Sequence, residues 1–431
     1  RVDNTHTKYE QKLYASSNLT ITEESTQGHY TISKPDETQT YADVLANINK
    51  RFNDFSLVAN VGASIVNNRY EDFSYRGPIR EKGIPNVFNV FDLDNTKKKA
   101  RQDEWQEQTQ SVFASVEVGW KSMLYLTLTG RNDWASQLAN SSTPCFFYPS
   151  VGLSGVISEM LTLPEFIDYM KVRGSFSSVG MPYPRNLTSP TYEYDEANQQ
   201  WKPKTHYPIK DLKPERTNSW ELGLDMRLFK DFSLGFSWYL ANTFNQTFDP
   251  KVSVSSGYSK IYLQTGYVRN SGVELSLGYG HTWNNSLHWE SNFTLSHNKN
   301  TIKDLVTSYI HPETGLPITQ NRLDVGGMGK ARFILKKGGT LGDLYTQSDL
   351  KRDNNGMVEI DPSGTLTTED NLPDIKLGSV FPKANLAWNN RFTWRGISLS
   401  ALFTARIGGI AYSATQAAMD QYGVSERSAQ A

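Results

Sequence analysis

The chain has 431 residues, 38% hydrophobic and 21% charged, with a formal net charge of −1 and a mean hydropathy of −0.54. Near-neutral charge carries no signal for nucleic acid or an anionic surface, and no run of about 18 apolar residues exists that could make a membrane-spanning helix. Cys145 is the only cysteine, so no internal disulfide can form, and aromatic residues reach 12%, a share suited to a β-barrel with interfacial girdles.

In chain order, an alternation of period two marks one strand after another. A first pair is expected at about Lys12–Thr22 and Tyr41–Phe52, where Val44, Ala46, Ile48 and Phe52 share the apolar face. Asn53-Asp54 is a tight-turn signal, and Phe55, Leu57, Ala59, Val61, Ala63 and Ile65 follow on the next strand. A long loop is expected at about 67–103. Val112 to Trp120 descend, a short turn passes Lys121, and Leu124, Leu126 and Leu128 ascend. A polar loop covers Arg131 to Pro144. Val151, Leu153 and Ile157 descend, a short helix is expected within Ser158 to Tyr169, and Met170, Val172 and Phe176 ascend. The loop at about 181–213 carries Tyr183, Tyr192, Tyr194, Trp201 and Tyr207. Trp220 to Leu228 come down and turn at Lys230-Asp231. The next segment shows the alternation best, with Phe232, Leu234, Phe236, Trp238 and Leu240 facing one way and Ser233, Gly235, Ser237, Tyr239 and Ala241 the other. Val273 to Tyr279, a turn at Asn284-Asn285, and Leu287 to Leu295 follow. An excursion at about 299–381, rich in Gly, Pro and Asp, reads as a loop with small hairpins. The last pair runs from Ala384 to Trp388 and, after Arg395-Gly396, from Ile397 to Phe403.

Short turns therefore alternate with long polar loops. Phe52, Phe55, Trp120, Phe229, Phe232, Trp283, Phe392 and Trp394 all flank the short turns. That pattern predicts an all-β fold, a transmembrane antiparallel β-barrel of the outer membrane, with the short turns in the periplasm. Trp105, Trp134, Phe146, Phe147 and Tyr148 supply a second girdle at the other end. A soluble sandwich or adhesin also alternates, but it has no reason to separate short turns from long loops or to line the turns with Trp and Phe. The strands number about thirteen, an odd count for a closed bacterial barrel, so the chain is expected to be a piece of a longer polypeptide.

No catalytic or metal signature is present. The seven histidines show no metal-ligand spacing, and no phosphate-binding loop or nucleophile elbow appears. Asp353-Asn-Asn-Gly356 lacks the further ligands of a calcium loop and reads as turn chemistry. Enzyme activity, a cofactor and a metal are not expected. The inward charges Lys171, Arg173, Glu221, Asp225, Arg227 and Glu274 read as cross-strand ion pairs or plug-docking groups, with solute binding as the alternative. The aromatics Tyr183, Tyr192, Tyr194, Trp201 and Tyr207 suit sugar or peptide side chains, and would serve equally as outer girdle and loop packing.

Several phrases resemble the SusC/RagA family of TonB-dependent outer-membrane transporters of Bacteroidetes. They are Leu126-Thr-Leu-Thr-Gly-Arg-Asn-Asp-Trp134, Phe147-Tyr-Pro-Ser-Val-Gly-Leu-Ser154, Met170-Lys-Val-Arg-Gly-Ser175, Leu212-Lys-Pro-Glu-Arg-Thr-Asn-Ser-Trp-Glu-Leu-Gly-Leu-Asp225 and Val268-Arg-Asn-Ser-Gly-Val-Glu-Leu275. Arg406-Ile-Gly-Gly409 and Asp420-Gln-Tyr-Gly-Val-Ser425 continue the series in order. The resemblance implies the middle and later part of a barrel of about 22 strands, without the family's plug, TonB box and last strands. It implies nutrient import of a glycan or a peptide, a SusD-like surface lipoprotein as partner, and coupling to the TonB complex through the plug region. A non-transport surface-binding protein and a passive porin are the alternatives; a TonB box and plug upstream would decide for import.

Overall fold

The computed structural model describes the chain except residues 18–24, 188–192, 196–199, 203–205, 208–212, 249–259, 262, 284–285, 311–316, 363, 365 and 431. One antiparallel sheet dominates it. In chain order its strands are β1 (Val2–His6), β2 (Tyr9–Leu13), β3 (His29–Phe52), β4 (Phe55–Pro78), β5 (Lys99–Trp120), β6 (Leu124–Ala135), β7 (Cys145–Val156), β8 (Ile167–Met181), β9 (Glu215–Leu228), β10 (Phe232–Phe248), β11 (Leu263–Trp283) and β12 (Leu287–Asp304). A smaller sheet of β13 (Arg322–Met328), β14 (Ala331–Lys336), β15 (Asp343–Thr346) and β16 (Ile375–Ser379) interrupts the series, which resumes with β17 (Ala384–Trp394) and β18 (Ile397–Ile407). From β3 on, each large-sheet strand pairs with its neighbour in sequence, β12 joins β17, and the described sheet does not close on itself.

The opening of the sheet differs from the sequence expectation. Of the strand expected at 12–22, residues 18–22 lie outside the described residues; before them β1 and β2 both pair with β3, end to end, against residues 36–40 and 29–33. The break between them falls opposite Pro35, which has no N–H to offer; the bond there runs from Thr7 N–H to the Pro35 carbonyl at 3.1 Å.

Outward residues form lateral rows across the sheet. Val172, Leu224, Phe236, Leu275, Leu295 and Leu386 are successive cross-strand partners. Four residues nearer the short turns, Leu228, Phe232 and Tyr279 line up; towards the other end the outward series turns polar at Asn218, Asn242 and Arg269. Arg269 and Tyr267 both donate to Asn242 there, at 2.9 and 3.0 Å. The band between these limits matches the apolar belt of about 25 Å expected for an outer-membrane barrel.

Its lower edge is a continuous run of rings. Phe166, Phe229, Phe232, Tyr279, Trp289 and Phe392 follow one another at centroid distances of 5.5, 6.5, 4.8, 5.1 and 5.6 Å. Outward Ser291 and Asn390 would be costly in lipid. Each instead accepts an indole N–H, from Trp388 at 3.0 Å and Trp289 at 3.4 Å. The turns beside these rings lie at one end of the meander, as expected: Asn53, Lys121, Phe229, Lys230 and Arg395 adopt positive φ there, the twist that tight hairpins require. Asn284-Asn285 lie outside the described residues, and the strand ends flanking them share that end.

The upper end is uneven. Where a loop over 67–103 is expected, β4 runs on to Pro78 and β5 starts at Lys99, leaving a connection of residues 79–98. Above the lipid both faces of these strands meet water, so the apolar alternation stops while pairing continues through polar side chains. Gln39 donates to Asn68 at 2.9 Å and Gln106 to Asn67 at 2.7 Å.

The excursion after β12 is likewise more ordered than loops and hairpins. Leu323, Leu335 and the half-buried Leu341 pack with Val268 and Ile302 of the barrel strands and with Leu305, so the four-stranded sheet is seated on the rim. Its opposite face is charged. Asp374, 5% exposed, accepts two bonds from Arg322 at 2.6 and 2.9 Å and an ion pair from Lys336 at 2.9 Å. The Arg322 guanidinium, helped by Lys336 against the cost of burial, holds the Asp374 carboxyl at about 2. Burial pushes the Asp343 carboxyl up, but Lys376 and Thr340 more than reverse this and keep it below its ordinary range.

Candidate functional site

The polar face of β8 to β12, β17 and β18 forms the inner wall. Its charge cluster depends on one absent side chain. Arg173 on β8 lies flat across Gly223 on β9: a Cβ at that glycine would stand 2.4 Å from the guanidinium carbon. The open space lets Arg173 span two strands. It pairs with Asp225 at 2.5 Å and Glu221 at 3.6 Å on β9 and donates to Ser237 on β10 at 2.7 Å. Of the six inward charges singled out in the sequence, these three meet directly.

Lys171 stands opposite Asp225 in register, and Arg227 lies further towards the short turns, opposite Tyr169 and Ser233. Glu274 lines the same wall across a cavity of about 570 Å³ that runs from Arg173 and Asp225 past Ser276, Thr294 and Asn385 to Arg406. The wall thus carries both signs of charge among hydroxyl groups, a surface for hydrogen-bonding a polar occupant.

The five loop aromatics separate. Tyr194 and Trp201 oppose each other on a short hairpin, residues 193–195 against 200–202. Their rings meet edge to face at 5.2 Å, and they are 51% and 67% exposed. Tyr183 is buried among Ala135, Leu138, Phe146 and Leu187. Tyr192 lies outside the described residues, as does the side chain of Tyr207.

Sequence reading missed a second constellation. Tyr70 and Trp105, cross-strand partners on β4 and β5, stack at 5.3 Å with an interplanar angle of 12°. Arg185, from the loop after β8, sits 3.7 Å above the Trp105 ring and 3.5 Å from Glu107. Gln137 donates to the same Glu107 at 2.8 Å. The available signal was Pro182-Tyr-Pro-Arg185, a pair of prolines that fixes two φ angles just before the arginine.

The fold agrees with what known proteins show. Over 339 residues the chain is 23% identical to TonB-dependent receptor P39 of Formosa agariphila, covering 75% of this chain and 30% of that relative. Over 351 residues it is 23% identical to TonB-dependent receptor P26 of the same organism, covering 75% and 34%. The chain therefore spans about a third of the curated relatives it matches. Among solved structures, the RagAB peptide transporter superposes with a TM-score of 0.71 at 16% identity over 94% of this chain and 44% of that one, a likeness of fold. Residues 2–324 match the family described as TonB dependent receptor-like, beta-barrel, a family of outer-membrane receptors and transporters rather than of enzymes. The chain belongs to that family of outer-membrane β-barrels.

Proposed function

We propose that this barrel segment serves active import of a glycan or a peptide, energised through the TonB complex and assisted by a SusD-like surface lipoprotein. The observation that carries the reading is the Tyr194–Trp201 pair, two large rings held edge to face and left open on an extracellular hairpin. Such rings accept a sugar C–H face or a peptide side chain with little loss of freedom. Long loops on a rigid scaffold are also the usual place for binding groups. The inner wall from Arg173 to Arg406 gives a plug or a passing polar solute hydrogen-bonding partners.

The test replaces Tyr194 and Trp201 with Ala in the full receptor and follows uptake of a mixed peptide pool and, separately, a mixed oligosaccharide pool. Loss of uptake of one pool with a heat-stable barrel supports the reading and names the solute class. Unchanged uptake of both removes the pair from solute capture. Parent uptake that persists when TonB is deleted overturns energised import in favour of a porin.

A further inference from the structure

We propose that Arg185 is a positioning residue: it fixes the loop after β8 to the inner wall, so that the Tyr194–Trp201 hairpin departs from a set point. The inference rests on the capture role proposed for that pair.

The wall has a step in it. Strands β4 and β5 have 24 and 22 residues, whereas β6 and β7 have 12 each. The chain leaving Met181 runs over the low part and meets the flank of the high part. Pro182 and Pro184 stiffen it. Tyr183 and Leu187, 5% and 3% exposed, drop into the cluster above β6 and β7 with Ala135, Leu138 and Phe146. Arg185, between them, reaches the Trp105 ring instead. Asn186 then takes φ 64°, a reversal that asparagine tolerates.

The contact is built for a planar cation. Tyr70 backs the indole, the guanidinium covers it, and Glu107, itself held by Gln137, takes the charge at its edge. A lysine keeps the charge but neither the flat stack nor the fork of donors. Two anchors of different chemistry, an apolar plug and a cation–π clamp, hold five consecutive residues. A loop needing only to be covered would not require both.

The experiment uses the full receptor with spin labels at Asp195 on the hairpin and Glu104 on the high wall. A narrow interlabel distance in the parent, broadened in Arg185→Ala and only partly restored in Arg185→Lys, supports positioning. An unchanged distribution in Arg185→Ala overturns it. If Arg185→Ala fails to assemble, Trp105→Leu reads the same clamp from the other side, with the same two outcomes. Uptake of the peptide and oligosaccharide pools is then compared with that of the Tyr194→Ala/Trp201→Ala receptor. Broadened distance with full uptake, where the double variant has lost it, shows that capture needs no anchor and overturns the proposal. If the double variant also imports normally, the capture reading itself has failed, whatever the distances show.

Discussion

At the scale of single residues, Gly223 and Arg173 act as one unit. Adding a side chain at position 223 forces the guanidinium off Asp225 and Ser237 or bends β9. Gly223→Val is therefore expected to destabilise the folded barrel by about 1–3 kcal/mol, the range for overpacking. Most of that cost should vanish in an Arg173→Ala background, because the clash is with the guanidinium, 2.4 Å from the added Cβ. Urea titration of the single and double variants checks this, and additive losses would refute the coupling. Asp374 carries a different signature. Its carboxyl is held at about 2, below the ordinary 3.8. The stabilisation it contributes is thus full above about pH 4 and is lost as pH falls through about 2. With Arg322 41% and Lys336 34% exposed to solvent, it amounts to about 1–2 kcal/mol. Asp374→Asn should flatten the acid limb of the rim sheet's stability, followed by hydrogen exchange of β13 and β14 between pH 2 and pH 5.

At the scale of elements, the two faces of a strand should answer differently to charge. Leu224, Phe236 and Leu275 sit in one outward row. Arginine at any of them is expected to cost about 2–4 kcal/mol near the bilayer midplane. A polar residue at inward Gly235 or Ser276 should cost much less on solvation grounds, since a Cβ at Gly235 meets nothing closer than 3.6 Å. Equal losses on both faces would contradict the lipid assignment.

That difference is also why so much of the barrel was legible in the sequence. Over 220–228, 232–240, 273–279 and 287–295, lipid on one side and water on the other write an alternation that survives in single letters. The extended ends of β4 and β5 were not legible, because Arg69, Glu71, Gln102 and Glu104 meet water on whichever face they lie. The break between β1 and β2 depends on Pro35 across the ladder, and pairing partners are not written in local sequence. Among site residues, charge on the inner wall could be read from alternation, but not that Gly223 would let Arg173 gather Asp225, Glu221 and Ser237. Arg185 was missed because its partners Trp105 and Glu107 lie some 80 positions upstream, and nothing local announces the contact.

At the scale of the whole molecule, the short-turn end varies little beyond the longer β7–β8 connection at 157–166, whereas the loop end varies strand by strand. Cations lie over outward rings at three of the short turns: Lys50 over Phe52, Lys121 over Trp120 and Arg395 over Trp394, each at 5.4 Å. The barrel is thereby fixed in depth at one leaflet and left free to vary at the other, where the high β4–β5 wall, the low β6–β7 step and the rim sheet give each sector its own height.

The rim sheet has a kinetic consequence. Nearly every ladder in the barrel joins strands close in sequence, so assembly can proceed hairpin by hairpin with small loop-closure entropy. The junction of β12 with β17 is the exception: its register pairs Leu287 with Trp394, across the whole excursion. If the rim sheet folds first, Asp304 and Ala384 become the ends of a compact knot rather than of a long coil, and the search for that register shortens. Leu335→Ala, which hollows the cluster seating the sheet, should then slow the last hairpin's assembly into detergent micelles or vesicles. Stopped refolding with pulse proteolysis would show β17 and β18 lagging behind β3 to β12. Equal rates in parent and variant would mean that this register is found without help from the rim.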